Sequence, residues 1–454
     1  MRQNNGGSEL LFQWRGRPPM GSTVSLALQH LVAMIVGCVT PSIIIANTVG
    51  LPQAERVLLI QSSLVMSAVS TLIQLFPVGK YFGSGLPVIL GVSFAYLPSM
   101  QAIAGEGGGI ATIAGAMICG GVVALLVGIF VKKIRCLFPP VITGTVVFTI
   151  GLSLYPTAIN YMAGGVANTH QLVVETKGLT EALVYGSWQN WLIAVLTLIV
   201  VMALNHYAKG VAKLASILIG MGVGYVIALA FGMVDFSDIG SAAWFALPQF
   251  MHFGVKFDFA ACVALSILFA INSIQAIGDF TATTAGGLDR DPTDNELQGG
   301  IIGYGISNIL AALFGGLPVA TYSQNVGIVT TNKVINRTVF ALTGGFLLFA
   351  GVSPKFAAVL TTIPQCVLGG ATITVFSTIA MTGMKLIASQ DFSARNTTIV
   401  GLSAALGVGI SQASASLSQF PDSFTLIFGK SPVVIATLLA VLLNVILPKE
   451  EELA

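Results

Sequence analysis

Gly315–Lys333 reads GGLPVATYSQNVGIVTTNK in a chain that is otherwise almost continuously apolar. Gly315, Gly316 and Pro318 break a helix, and Ser323, Gln324 and Asn325 then stand side by side. At membrane depth, non-helical polar backbone is tolerated only where protein buries it or it lines a wet cavity. The stretch therefore reads as the centre of a substrate site, and the rest of the chain as what carries and moves it.

The lipid setting follows from composition. Of 454 residues, 55% are hydrophobic and 8% charged, with a mean hydropathy of +0.88. Soluble proteins carry roughly 25% charged residues. This is a polytopic membrane protein, and a net charge of +2 offers no footing for nucleic acid. Cys38, Cys119, Cys136, Cys262 and Cys366 are scattered without a CxxC pair, which argues against a metal site or a disulfide framework. The opening MRQNNGGSELLFQWRGRPPMGS lacks the apolar core and cleavage site of a signal peptide; Arg15 and Arg17 read as a cytoplasmic anchor before the first span.

A span takes about 20 apolar residues. Candidates lie near 24–48, 57–77, 84–104, 109–131, 138–157, 190–206, 211–233, 258–284, 300–316, 319–331, 335–352, 355–376, 397–415 and 429–447, with the third and tenth interrupted by Gly and Pro. With the N-terminus inside, fifteen of the 20 Lys and Arg fall on the cytoplasmic side. Arg56, Lys177, Lys256, Lys355 and Lys430 fall outside, the asymmetry that the positive-inside rule expects.

The chain also repeats itself. Gly85-Leu86-Pro87-Val88 returns as Gly316-Leu317-Pro318-Val319, and FPPVITGTVVFTIG (138–151) is answered by IPQCVLGGATITVFST (363–378). Seven spans per half is an odd number, so the halves are inverted. Interrupted spans at matching places in inverted halves point to a midplane site in transporters. The segments after Pro87 and Pro318 are short and β-branched; paired as two strands, they would satisfy each other's backbone. The helices after them would start near mid-membrane and turn free N–H groups toward a ligand.

Four further residues carry chemistry. Asp279 is the carboxylate within SILFAINSIQAIGDFTATT, and a carboxylate at bilayer depth costs about 2.5–3.5 kcal/mol. It is functional, or it is solvated near the cytoplasmic end. Gln275, one helical turn earlier, either binds substrate or joins helices through its amide. His30 sits in the apolar run SLALQHLVAMIVG as a proton relay or a packing histidine. Tyr96 begins the first half-helix as a stacking ring or a core aromatic. Asn332, Lys333 and Arg337 read as interface anchors at the cytoplasmic side.

With these residues, the chain resembles the nucleobase–ascorbate transporter family (nucleobase:cation symporter-2) from Gln29 to the last span. Its signature, [Gln/Glu/Pro]-Asn-x-Gly, four residues, then Thr and Lys, Arg or Gly, is met by Gln324-Asn325-Val326-Gly327 through Lys333, except that Asn332 replaces the Thr. The Gln29-His30 pair and FPPVITGTV also look like this family. The resemblance implies an all-α fold of 14 segments in two inverted sevens, with short β-strands in segments three and ten. It implies a core domain of 23–135 and 258–353 and a gate domain of 136–235 and 354–448, between cytoplasmic tails 1–22 and 449–454. It implies a proton-coupled purine importer of elevator type, without cofactor or metal, in the cell membrane as a homodimer among lipid.

Carried over, Gln324 would hydrogen-bond the base and Asn325 would support its loop. Ala95, Tyr96 and Ser323 join the substrate-binding positions, Tyr96 and Ser323 through backbone N–H groups and Tyr96 also as the stacking ring. Asp279 and His30 would serve proton coupling or its polar network. Gln275 replaces the family's usual Glu, and Tyr304 stands where close bacterial xanthine carriers have a carboxylate. A neutral Gln pairs with a lactam edge, which favours an oxopurine, xanthine or urate, over uracil; a uracil or a guanine/hypoxanthine carrier of the same family is the alternative. An anion carrier of the same architecture would want a cation at the half-helix starts, and neither 93–98 nor 322–329 holds Lys or Arg. An enzyme would want a nucleophile or metal motif, and the chain has no HExxH, GxSxG or Cys/His cluster.

Overall fold

The computed structural model describes residues 9–79, 81–105, 107–131, 139–165, 184–236, 239–240, 242–421, 424–429 and 431–448. Cys136, Phe138, the tail 449–454 and the basic residues at 2, 80, 132, 133, 135, 177, 430 and 449 lie outside them. In chain order the helices and strands are α1 (Met20–Val49), α2 (Gln53–Leu75), β1 (Leu90–Val92), α3 (Leu97–Gly105), α4 (Gly109–Ile129), α5 (Pro140–Met162), α6 (Trp188–Tyr207) and α7 (Ser216–Ala230). Then come α8 (Phe259–Gly287), α9 (Asp294–Leu313), β2 (Val319–Thr321), α10 (Ser323–Asn332), α11 (Arg337–Gly351), α12 (Pro354–Thr361), α13 (Gln365–Ala388), α14 (Ala394–Gln412) and α15 (Pro432–Ile446). Among the described residues, α1, α2, α4, α5, α6, α8 and α13 are each long and apolar enough to cross a membrane. The protein is a polytopic helical membrane protein, with one pair of short strands among the described residues.

Two sequence-derived spans come out differently. The stretch 355–376 is not one helix: α12 stops at Thr361 and α13 starts at Gln365. Pro364 causes the break, because a proline disfavours helical geometry in the residue before it, and it stands here as the N-cap of α13. The stretch 211–233 is divided at Ala215, between a single turn (Val211–Leu214) and α7.

The chain forms two compact units, Met1–Leu137 with Ala243–Ala357 and Phe138–Ala242 with Ala358–Ala454. In the second unit α5 packs along α13. A side chain at Gly151 would strike Ala380, and one at Gly383 would strike Phe148. These small residues let the backbones approach, the usual basis of helix association in lipid. The repeated landmarks that begin FPPV and IPQC are thus the two helices at the middle of this unit.

The first unit is built around β1 and β2. They pair antiparallel, with Leu90 opposite Thr321, Gly91 opposite Ala320 and Val92 opposite Val319. The Ser93 N–H donates to Pro318 O and the Tyr322 N–H to Ile89 O, both at 3.0 Å, closing the ends. Because the strands are antiparallel, α3 and α10 leave opposite ends of this ribbon. The outward backbone groups of Leu90 and Val319, and the Val92 carbonyl, are met by side chains. Thr71 of α2 bonds both Leu90 N–H and Leu90 O, Asn308 of α9 bonds both groups of Val319, and the Tyr322 hydroxyl donates to Val92 O at 2.7 Å. Gly91 lies against α1, where a Cβ would stand 2.5 Å from Cys38 Sγ and 2.8 Å from the Tyr322 ring.

The C-terminal end of α10 is held as well. Lys333, in left-handed conformation after its last turn, pairs with Asp289 at 2.8 Å. Buried Asn336 caps α11 and donates to Leu10 O and Gln13 O at 2.8 and 3.1 Å, so the segment around Leu10–Phe12 is docked on the turn behind α10.

Gly91→Val places two methyl groups where sulfur and ring already sit, and overpacking of this kind costs roughly 1–3 kcal/mol. The purified variant is expected to melt several degrees below the parent in detergent; an unchanged melting curve would mean that β1 does not lie against α1.

Candidate functional site

Ser323, Gln324 and Asn325 open α10, and successive helical residues point about 100° apart. The three side chains therefore go to three places. Ser323 Oγ donates to Asp279 Oδ1 on α8 at 2.8 Å. Asn325, buried, donates from Nδ2 to His30 O and His30 Nδ1 on α1, each at 3.0 Å. Gln324, between them, is exposed and makes no side-chain hydrogen bond among the described residues. The start of α10 has no side-chain cap. The two flanking residues anchor the half-helix, and the middle one presents an amide with no partner among the described residues.

Asp279 is buried, and both its oxygens are engaged: Thr321 Oγ1 donates to Oδ2 and Ser323 Oγ to Oδ1. Thr321 and Ser323 fall on the same side because alternate residues of an extended chain share a face. One carboxylate of α8 thus grips the last residue of β2 and the first of α10. Gln275 lies one turn before Asp279, half-buried, its amide also unengaged among the described residues. His30 packs its ring against Phe340 at 4.8 Å. His30 Nε2 and Asn325 Oδ1 are buried without a protein partner among the described residues.

Ser93 caps the turn Phe94–Tyr96, and its Oγ accepts the Ala95 N–H at 3.2 Å, so that N–H is already taken. The Tyr96 ring is fully buried, 4.8 Å from Phe269, and its hydroxyl hydrogen-bonds that of Tyr304. In this arrangement the ring packs inside the protein rather than facing outward. Lys333, expected as an interface anchor, is ion-paired to Asp289.

A model of the permease family matches residues 21–416, most of the chain. The chain is a member of that family, the nucleobase–ascorbate transporters. This permease is 33% identical to the xanthine permease of Bacillus subtilis over 95% of its own length and 94% of the relative's. It is 34% identical to the uric acid permease PucK of the same organism, over 92% and 94%. Among solved structures it resembles the transmembrane domain of a cyanobacterial bicarbonate transporter, BicA, with TM-score 0.58 at 15% identity, covering 93% of this chain and 97% of that one. That likeness speaks to the fold alone. The permease is accordingly a carrier and not an enzyme.

Sequence reasoning passed over Thr321, Thr71 and Asn308. Thr321 was legible, because period two in the proposed strand puts it on one side with Ser323. Thr71 and Asn308 were not, since each is one polar residue on an apolar helix and its partner backbone lies far along the chain.

Thr321→Val removes one of two donors from a buried carboxylate at nearly constant volume, and a hydrogen bond to a charged group contributes about 1.5–3 kcal/mol. The variant of the permease should melt below the parent. Adding Asp279→Asn should cost less in that background than alone, because the pair is coupled. Strictly additive losses in the four-member thermal cycle would sever the Thr321–Asp279 link.

Proposed function

We propose that this permease imports an oxopurine, xanthine or uric acid, together with protons across the cell membrane, with both termini cytoplasmic. In this reading the unit of Met1–Leu137 and Ala243–Ala357 is the core that carries the solute, in elevator fashion. The other unit is the gate that makes the homodimer contact. The frame is fourteen segments in two inverted sevens.

The observation that carries the reading is the free Gln324 amide. It stands at an uncapped half-helix start, one residue on from the Ser323–Asp279 hydrogen bond. An amide donates and accepts at once, which matches the N–H and C=O that alternate along an oxopurine edge. Gln275, a turn from Asp279 and also unengaged, supplies a second such group. Relatives named for xanthine and uric acid agree with this chemistry. Ser93–Pro98 and Tyr322–Val329 contain no Lys or Arg, so a small anion would find no countercharge there.

Asp279 is the group to which the proton is assigned. As a carboxylate it accepts from both Thr321 and Ser323. Once protonated it gains an O–H donor, and the hydroxyl facing that oxygen has to change from donating to accepting. Proton arrival therefore changes the grip of α8 on the start of α10, next to the amide that reads the base. His30 and Asn325 complete the polar network on the other flank.

Labelled xanthine or urate should accumulate in cells that express the protein and lack carriers of their own, and a protonophore should abolish it. Accumulation indifferent to the proton gradient would remove the symport claim. Gln324→Ala should abolish uptake at normal membrane abundance; uptake at the parental rate would move the site elsewhere. Gln275→Glu should reorder a competition panel of unlabelled purines and pyrimidines, and an unchanged order would take Gln275 away from the base.

A further inference from the structure

The helix α9 takes no part in the site just described, yet it reaches both interrupted segments from one face. Tyr304 and Asn308 sit one turn apart on it, and both are fully buried. The Tyr304 hydroxyl is hydrogen-bonded to that of Tyr96, immediately before α3. Asn308 accepts the Val319 N–H at 2.8 Å and donates to Val319 O at 3.1 Å, holding the first residue of β2. The same amide nitrogen also donates to Tyr304 O at 2.9 Å, so the two grips share a bond. Phe269 of α8 closes the side, with ring centroids 4.8 Å from Tyr96 and 5.8 Å from Tyr304.

We infer that Tyr304 is a positioning residue of the permease: through Tyr96 it sets where α3 begins relative to α10, and so which planar solutes fit between the two half-helix starts. The inference rests on the purine-carrier reading for its solute, while its geometric part stands without it. The ribbon itself is too short to do this. Each strand has three residues, and an isolated two-stranded pair is marginal. A helix holding β2 at one position and the start of α3 one turn, about 5.4 Å, away is a stiffer ruler. Asn308 fixes one mark and Tyr304 the other. Tyr304 touches no solute in this scheme; its phenol acts through that of Tyr96. Without it, the Tyr96 hydroxyl is left buried and unpaired, and the turn Phe94–Tyr96 shifts to find it another partner.

The test compares Tyr304→Phe, Tyr96→Phe and the double variant, which leaves neither phenol orphaned and so preserves the fold. In uptake, Tyr304→Phe should raise the KM for the preferred purine about tenfold with the maximal rate within about twofold, and should narrow its advantage over other bases, as expected when a specificity contact loosens. Tyr96→Phe should do the same, and the double variant should be no worse than either single one. Multiplying losses in the double variant, or a parental KM and ranking in Tyr304→Phe, would overturn the inference. A second readout needs no solute. Spin labels at Gly105→Cys and Thr331→Cys, in a background free of other cysteines, report the spacing of α3 and α10. Tyr304→Phe should shift or broaden that distance distribution, and an unchanged distribution would overturn the inference even in a protein that carries no purine. A parent protein that ignores every purine, with a distribution that does respond to Tyr304→Phe, would instead fault the purine reading and leave the ruler standing.

Discussion

Everything in the first unit depends on three residue pairs, Leu90–Val92 against Val319–Thr321. In hydrocarbon an unmet backbone N–H or C=O costs several kcal/mol, so extended chain is excluded unless every group finds a partner. The pairing handles the inward groups. Thr71, Asn308 and the Tyr322 hydroxyl handle outward ones, each from a different element. Only with that satisfied can α10 follow the ribbon directly and leave its start without a side-chain cap. The polar site is therefore a consequence of how the ribbon is completed, and the residues that complete it belong to the site's architecture even though they stand behind it.

The second constraint is directional. A helix start that carries Ser-Gln-Asn spreads its three side chains over three directions. Here the outer two are spent on α8 and α1, while the middle one stays free. Rigidity and availability are thus divided among neighbours in sequence. The same division holds in α8, where Asp279 is fully engaged and Gln275, a turn away, is not. Preorganised anchors beside an unengaged amide make an arrangement that binds without first breaking its own hydrogen bonds.

Much of this was legible beforehand. The repeated Gly-Leu-Pro-Val announced two interrupted segments, and the β-branched residues after each proline announced strands, because those signals are local. The alignment of Asp279 with Gln275 followed from helical period alone. The ring of Tyr96 was harder: its neighbours Phe269 and Tyr304 are distant in sequence, and nothing local distinguishes an inward phenol from an outward one. The same limit hid Asn308, whose partner is backbone and leaves no mark on composition. The break at Pro364 could be seen as a proline but not weighed, since prolines also lie inside α1 and α5 without ending them.

The ribbon joins residues about 230 positions apart, and that distance has a meaning for biogenesis. Ribosomes add roughly 5–20 residues per second, so Leu90–Val92 emerges some 10 to 50 seconds before its mate exists. During that interval Thr71 can cover one strand residue from nearby in the chain, but Asn308, Tyr322 and β2 have yet to be made. Released into lipid before β2 exists, an extended Leu90–Val92 would carry bare peptide groups. Completion of the carrier is in this sense a late event, timed by the arrival of its second half.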